Sequence, residues 1–337
     1  MNGNQAEMLA NRLRKRARHL AKWARRERIG SYRLYDRDIP EIPLVIDYYE
    51  GQRRGHFERA VSCALYRRPY EKAEADEALW LSDMKEAIAR ELRIDESRVF
   101  TKERRRQSGA SQYGKTESGA AYEMDVREGD LLFRVNLSHY IDSGLFLDAR
   151  LARRLAAKEA RDKAVLNLFC YTAAFSVHAA ASGAAIVDSV DLSSTNLERA
   201  KVNFELNGLL RGAKAARRAY NFIRADALSF LCGPRLGRYD IIILNPPVFS
   251  NSKMAKADLD LKRDGISLIK QALALLKPEG KLFFGSNIGL PALREFEPAG
   301  FSALEITENV RGEDFKKRRV PHWHLFSKKT VDKSRHS

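Results

Sequence analysis

Cysteine is scarce in this chain: Cys63, Cys170 and Cys232 are the only three among 337 residues. They are too few and too scattered for a disulfide framework or a zinc site, so reduced thiols and no metal are expected. No apolar run approaches the ~20 residues of a membrane-spanning helix. The opening Met1-Asn2-Gly3-Asn4-Gln5-Ala6-Glu7 also lacks the apolar core of a signal peptide. These absences lead us to expect a cytoplasmic protein with no membrane partner. Acidic residues are outnumbered, 44 Asp and Glu against 60 Lys and Arg, for a formal net charge of +16. Such an excess suits a polyanion, because each neutralised phosphate releases counterions. A solvated basic surface is the alternative, and clustering separates the two.

What is present centres on Ile241-Ile242-Ile243-Leu244-Asn245-Pro246-Pro247-Val248-Phe249-Ser250. The aliphatic run reads as a strand buried on both faces, as in a parallel sheet covered by helices. Prolines cannot continue its ladder, so the strand ends at Asn245. In an open α/β sheet, ligands sit outside the carboxyl ends of the strands, where 245–249 project. Asn or Asp followed by Pro-Pro and an aromatic after such a strand is the substrate-side motif of many S-adenosylmethionine-dependent methyltransferases. An ordinary turn explains Asn-Pro equally well, so the surrounding pattern decides.

That pattern alternates. Strands are expected over 164–169, 186–190, 220–224, 281–285, 304–307 and 322–327, with helices over 151–158, 173–182, from Ser193 or Ser194 to Asn207-Gly208, and 266–276. Residues 130–329 therefore predict a Rossmann-like, doubly wound, mostly parallel α/β sheet. Ahead of it, apolar runs at 44–49 and 60–66, broken by Pro40, Pro43, Gly51 and Gly55, read as strands. The stretch 75–92 reads as an amphipathic helix with Leu79, Met84, Ala87, Ile88 and Leu92 inward. Together they predict a small α+β RNA-binding domain over 31–129. Residues 1–30 form a basic helix with Leu13, Ala17, Leu20 and Ala24 on one narrow stripe. Residues 330–337 read as a frayed tail.

The basic residues cluster. Arg12, Arg14, Lys15, Arg16 and Arg18 cover the polar circumference of the first helix and suit a phosphate backbone. Arg104, Arg105 and Arg106, with Tyr113 and Lys115, lie in a loop-like stretch over 101–115. Guanidinium groups there suit phosphates and the ring suits a stacked base; a disordered solvated loop is the alternative. Lys316, Lys317, Arg318 and Arg319 add a further RNA contact or a solvated turn.

Three strands end in a polar side chain at spacings that match a nucleoside cofactor bound across the sheet. Asp191 can accept from ribose hydroxyls, Asp226 lies within reach of an adenine amine, and Asn245 borders the substrate pocket. A dinucleotide enzyme would carry G-x-G-x-x-G after the first strand. Asn167-Leu168-Phe169-Cys170-Tyr171-Thr172-Ala173-Ala174-Phe175 stands there instead, which disfavours a pyrophosphate-bearing cofactor.

Over residues 10–329 the chain resembles the RlmK half of the bifunctional bacterial 23S rRNA methyltransferase family RlmKL, which makes 7-methylguanosine. The resemblance rests on Asn11-Arg12-Leu13-Arg14-Lys15, His19-Leu20-Ala21-Lys22-Trp23-Ala24-Arg25-Arg26, Tyr32-Arg33-Leu34-Tyr35-Asp36, Asp142-Ser143-Gly144-Leu145-Phe146-Leu147-Asp148, Asn167-Leu168-Phe169, Tyr171-Thr172 and Pro246-Pro247-Val248-Phe249-Ser250-Asn251-Ser252-Lys253. It implies a class I fold with a seven-stranded sheet, S-adenosylmethionine as cofactor and 23S rRNA or a large-subunit precursor as partner. By the same resemblance Phe146, Asp148, Arg150, Asn167, Phe169 and Thr172 line the cofactor site. Asp191 with Leu192 holds the ribose, and Asp226 with Ala227 the adenine. Asn245, Pro246, Pro247, Phe249 and Lys253 form the target-base loop. The family's other half, a guanine-N2 methyltransferase, has no counterpart in these 337 residues.

Two positions depart from the family pattern: Ala173 where glycine is usual, and Asn245 where aspartate is usual. Asn-Pro-Pro also occurs in enzymes that methylate amines. Guanine N7 carries an in-plane lone pair and needs no general base, so the expected chemistry is alignment and exclusion of water. In A-form RNA that atom faces a groove protein cannot enter, so an unpaired or extruded base is required. Phe249 is the expected stacking ring, against core packing as the alternative. Lys253 is the expected anchor for a phosphate or O6, against a solvated charge. The alternative functions are a cytosine-C5 rRNA methyltransferase, which needs a nucleophilic cysteine, and a non-catalytic RNA-binding assembly factor.

Overall fold

The computed structural model describes residues 2–66, 70, 72–104, 120–211, 218–233, 237–250, 258–289 and 300–328. It divides into two compact units, residues 1–147 with Glu313–Arg318, and Asp148–Gly312 with Arg319–Ser337.

In the first unit, α1 (Asn2–Glu27) buries Leu9, Leu13, Leu20 and Ala24 and partly buries Ala17, one apolar stripe at helical spacing. It packs into the same core as β1 (Ser31–Asp36), β2 (Leu44–Arg53), β3 (His56–Tyr66) and α2 (Glu74–Leu92). The basic helix is thus part of this unit and not a separate segment, because its leucines have no other apolar surface to cover. Its sheet continues with β4 (Val99–Arg104), β5 (Glu123–Glu128) and β6 (Leu131–Asn136), in the order β4-β3-β2-β5-β6 with β1 beside β2. Three expectations change here. Gly51 does not break a strand but lies inside β2, where a Cβ would come within 2.1 Å of the Asp125 carbonyl oxygen. Leu79 is 60% exposed and Trp80 takes the inward place, one residue along the helical stripe shared with Met84 and Ile88. The boundary expected at 129/130 falls at 147/148, because β6 pairs antiparallel with β5.

The second unit begins with α3 (Arg150–Ala157) and then alternates: β7 (Ala164–Leu168), α4 (Ala174–Ala181), β8 (Ile186–Asp191), α5 (Ser194–Leu206), β9 (Ala219–Arg224), α6 (Ala227–Leu231) and β10 (Tyr239–Leu244). A two-stranded ribbon, β11 (Phe249–Ser250) and β12 (Leu259–Asp260), precedes α7 (Leu261–Ala274), β13 (Leu276–Ser286), β14 (Phe301–Glu305) and β15 (His322–Lys328). The seven-stranded sheet has the order β14-β15-β13-β10-β7-β8-β9, and β15 alone runs opposite to the other six strands. This is the expected doubly wound, mostly parallel sheet. Helix starts follow their caps: the Ser193 hydroxyl accepts from Asn196 N at 3.3 Å, and Asp260 Oδ1 from Lys262 N at 2.9 Å. The second cap places the start of α7 at Leu261, earlier than the apolar periodicity suggested. Leu166, Leu168, Ile242, Leu244, Leu268 and Phe284 are all at most 1% exposed, so truncating any of the leucines or the isoleucine to alanine costs about 2–5 kcal/mol.

Candidate active site

Strand order reverses at β7, with β8 on one side and β10 on the other. The crevice outside their carboxyl ends is the topological switch point where such sheets bind ligands. Two segments of unusual backbone reach it, the turn after β7 and the double-proline loop after β10.

The turn after β7 has three left-handed residues, Phe169 (φ 54°), Tyr171 (φ 54°) and Ala173 (φ 58°). Each costs about 1–2 kcal/mol for a side chain with a Cβ, so surrounding contacts must hold it. Cys170 N donates to Val190 O at 3.0 Å, Tyr171 N to Asp191 Oδ2 at 2.8 Å, and Ala173 N to Cys170 O at 2.8 Å. Asp191 Oδ1 accepts from Ser193 N at 2.9 Å and Asn196 Nδ2 at 3.1 Å. Most of the roughly four acceptor directions of this carboxylate therefore point at its own chain, leaving about one for a ribose hydroxyl. Burial holds the Asp191 carboxyl above the usual carboxylate range, against the pull of the Ser193 and Tyr171 amides and of Asn196.

Asp226 caps α6 through Oδ2, which accepts from Ser229 N at 3.1 Å and Ser229 Oγ at 2.8 Å. Its Oδ1 has no partner among the described residues and is open to an amine. Leu192 is half-buried and Ala227 is buried beside these carboxylates. Two acceptors at the ends of adjacent strands, each flanked by an apolar side chain, form an acceptor pair that fits the ribose hydroxyl and adenine amine donors of S-adenosylmethionine.

Three residues expected to line the cofactor are buried in the protein. Arg150 is 1%, Asn167 2% and Thr172 1% exposed. Asn167 Nδ2 donates to Ser176 Oγ at 3.0 Å, tying β7 to α4, and the Thr172 carbonyl accepts from Asn203 Nδ2 at 2.9 Å on α5. Strand alternation turns Asn167 toward α4, and tethers of this kind hold the strained turn. Phe146, 42% exposed, belongs to the first unit and Asp148 to the second.

Beyond β10 the chain reads Asn245-Pro246-Pro247, without ladder bonds. Val248 O accepts from Leu261 N at 3.0 Å, and Phe249 pairs with Asp260 across the ribbon. The loop is thereby clamped at both ends and Phe249 is left 49% exposed, which removes core packing as its role. Lys253 lies outside the described residues. Two residues that the motifs did not reveal also meet here. A Cβ on Gly285 would lie 2.7 Å from the Trp323 ring and 2.9 Å from Asn245 Oδ1. A lone glycine closing the apolar run Leu282-Phe283-Phe284 was the available signal, since glycine in a strand marks close approach.

No thiol is poised as a nucleophile at these strand ends. Cys170 is buried and its thiol is pushed well up by burial and then by Asp191, and burial pushes Cys63 up to about 12. Cys232 is exposed, but it follows α6 at the end remote from Asp226. Among the described residues no group of His, Cys, Asp and Glu is placed to hold a metal ion, and no helix is long and apolar enough to cross a membrane.

Several of the basic residues are engaged within the first unit. Arg12 and Arg318 both pair with Asp38, whose side chain is 2% exposed. Arg14 reaches Glu91 at 2.6 and 3.0 Å, and Arg16 donates to Leu34 O and Asp314 O. Buried carboxylates must be paired, so Arg12 and Arg318 neutralise the protein's own acid. Lys316 pairs with Glu313 at 2.6 Å; in the second unit, Arg319 donates to Asn287 O at 3.3 Å. Lys15, Arg18 and Lys317 are exposed. Arg104 lies in β4, so the expected loop starts as a strand, and Arg105, Arg106, Tyr113 and Lys115 fall outside the described residues.

A family model described as S-adenosylmethionine-dependent methyltransferase matches residues 73–295. The chain is 40% identical over 323 residues to the ribosomal RNA large subunit methyltransferase K/L of Hahella chejuensis, covering 95% of the chain and 43% of that protein. It is 41% identical over 313 residues to the protein of that name from Pseudomonas fluorescens, covering 92% of the chain and 39% of the relative. The chain thus spans less than half the length of the curated relatives it matches. Among solved structures, a protein from Streptococcus mutans described as a SAM-dependent methyltransferase aligns with a TM-score of 0.68 and 20% identity, over 96% of this chain and 81% of that one. A similar fold, at the same TM-score and coverage, is found in a methyltransferase structure complexed with SAH.

Proposed function

The chain belongs to the S-adenosylmethionine-dependent methyltransferase family, and on that premise we propose that it methylates guanine N7 in large-subunit ribosomal RNA, as 23S rRNA or its precursor particle, in the cytoplasm. The observation that carries this reading is Phe249, half exposed on a clamped arm directly after Asn245-Pro246-Pro247. A base extruded from RNA would stack on that ring, and Asn245 would orient its edge. The relatives' name and the net charge of +16 support a ribosomal RNA substrate.

S-adenosylmethionine, when bound, supplies a methyl group on a sulfonium sulfur. Asp191 and Asp226 would hold its nucleoside end, and the turn from Phe169 to Ala173 would shape the floor. Phe249 and the prolines would hold the base and orient its N7 edge toward the cofactor pocket. As acceptor, N7 would use its in-plane lone pair, so the loop would have only to hold the base and exclude water. No proton is transferred, which fits a loop carrying an amide and two prolines. Its work is alignment, a contribution of about 7–11 kcal/mol in well-oriented systems. The cytosine-C5 reading lacks a poised thiol.

The test is incubation with labelled S-adenosylmethionine and 23S rRNA from cells lacking the activity, then nucleoside mass spectrometry. 7-Methylguanosine is the expected product. 5-Methylcytidine or 6-methyladenosine would overturn the target atom. Tight RNA binding without transfer, on free rRNA and on precursor particles, would favour the assembly-factor reading.

A further inference from the structure

A cavity of about 270 Å³ lies in the first unit, lined by Phe57, Arg59, Arg93, Ile94, Asp95 and Arg98. Phe57 and Arg59 share a face of β3 with Val61, Cys63 and Leu65, which are buried in the core with α1 and α2. Phe57 itself is 60% exposed. The end of α2 forms the facing wall. Its cap, Arg93, is left-handed (φ 53°, ψ 51°), and Ile94 N bonds back to Ala89 O at 3.0 Å. Glycine or asparagine is the usual residue in that conformation, and an arginine held there is strain of the kind kept at functional positions.

The charge balance of the lining is positive. Neither Arg59 nor Arg93 makes an ion pair among the described residues. Asp95 is engaged by Ser97, accepting from its backbone N at 2.8 Å and from its hydroxyl. Arg98 lies 3.9 Å from Glu58, which also binds Arg53 at 3.6 Å and the Tyr122 hydroxyl. An exposed ring set among arginines is the construction that single-stranded nucleic acid requires, because bases stack on the ring while cations follow the backbone.

We propose that this cavity binds one nucleotide of single-stranded RNA, with the base stacked on Phe57 and the flanking phosphates on Arg59 and Arg93. This rests on the reading of the protein as an RNA methyltransferase and adds to it a docking point for the strand. Phe57 offers no hydrogen-bonding group, so the site is tolerant of base identity and serves affinity.

The test uses the full chain and a short fluorescein-labelled oligoadenylate, with binding followed by anisotropy across a salt series. Phe57→Ala and Phe57→Leu should each weaken binding by roughly tenfold, within the range for losing one stacked base, whereas Phe57→Trp should retain it. Arg59→Gln and Arg93→Gln should each flatten the slope of log affinity against log salt by about one. S-adenosylmethionine affinity should be unchanged throughout. Ultraviolet cross-linking of the wild-type complex should label the peptide containing β3. Wild-type affinity and slope in every variant, or no cross-link in β3, would overturn the cavity proposal while leaving the methyltransferase reading intact. Absence of RNA binding by the wild-type protein would overturn both. Altered self-association of Phe57→Ala without RNA would assign the face to a second copy of the chain and overturn the proposal.

Discussion

Gly285 and Trp323 stand opposite each other in the β13–β15 register, and the space a methyl group would need on Gly285 is taken by the Trp323 ring at 2.7 Å and by Asn245 Oδ1 at 2.9 Å. Gly285→Ala is therefore expected to displace Asn245 and lower kcat by about tenfold to a hundredfold, as small misplacements do. An overpacking cost of about 1–3 kcal/mol in stability should accompany it. Adding Trp323→Phe makes room, so the double variant should recover part of kcat. Steady-state methyl transfer with thermal melts checks both, and a double variant no better than Gly285→Ala would contradict the account.

Ala173 is buried in a left-handed conformation at the start of α4. Ala173→Gly should relieve about 1 kcal/mol of that strain, less the small buried methyl. The expectation is a melting temperature unchanged or raised by about 2–4 °C, and a tighter complex with S-adenosylmethionine as the turn relaxes. A clear loss of both would show that the methyl group is needed for packing.

Asp191 titrates above the usual carboxylate range because it is buried. Its ionisation opposes folding, so its contribution to stability is largest below the ordinary aspartate value of 3.8 and falls as pH rises through the folded value. Cofactor binding has the opposite sign, since protonation removes an acceptor that the ribose hydroxyl needs. Calorimetric titration should show S-adenosylmethionine affinity falling on acidification at a higher pH than an exposed carboxylate would give. Asp191→Asn should bind at least tenfold more weakly, as loss of a hydrogen bond to a charged group implies, and should lose that pH dependence. Retention of the pH dependence in Asp191→Asn would assign it to another group.

The Asn245 side chain has no hydrogen-bond partner among the described residues, which leaves its amide for the base. If N7 is the target, Asn245→Asp should retain methyl transfer within about tenfold, since no amine proton needs an acceptor. Asn245→Ala should lose more through misorientation. Nucleoside mass spectrometry of both variants reads the product, and collapse of activity in Asn245→Asp would point to an exocyclic amine.

The sequence by itself determined the parallel sheet and its helices. Aliphatic runs such as 241–244 can be buried only between helix layers, and polar residues at strand ends mark where each ladder stops. It also made Asp191, Asp226 and the Asn245 loop legible, because strand ends in such a sheet have a known relation to ligands. Helix α1 and its stripe were legible for the same reason of periodicity, although its place in the first unit's core was not.

Only the tertiary structure decided which charges and buried groups were engaged. Nothing in the spacing of Arg12 and Arg318 indicates that both meet Asp38, because ion pairing joins residues remote in sequence. Strand alternation assigned Asn167 to a face, but only packing showed that the face was covered by α4 and Ser176. The choice of Trp80 over Leu79 likewise depended on which face of α2 met the core of the first unit. Gly285 acquires its meaning from two side chains that arrive from β10 and β15. Local periodicity writes the elements into the chain, whereas pairing, burial and close approach are properties of neighbours that only folding brings together.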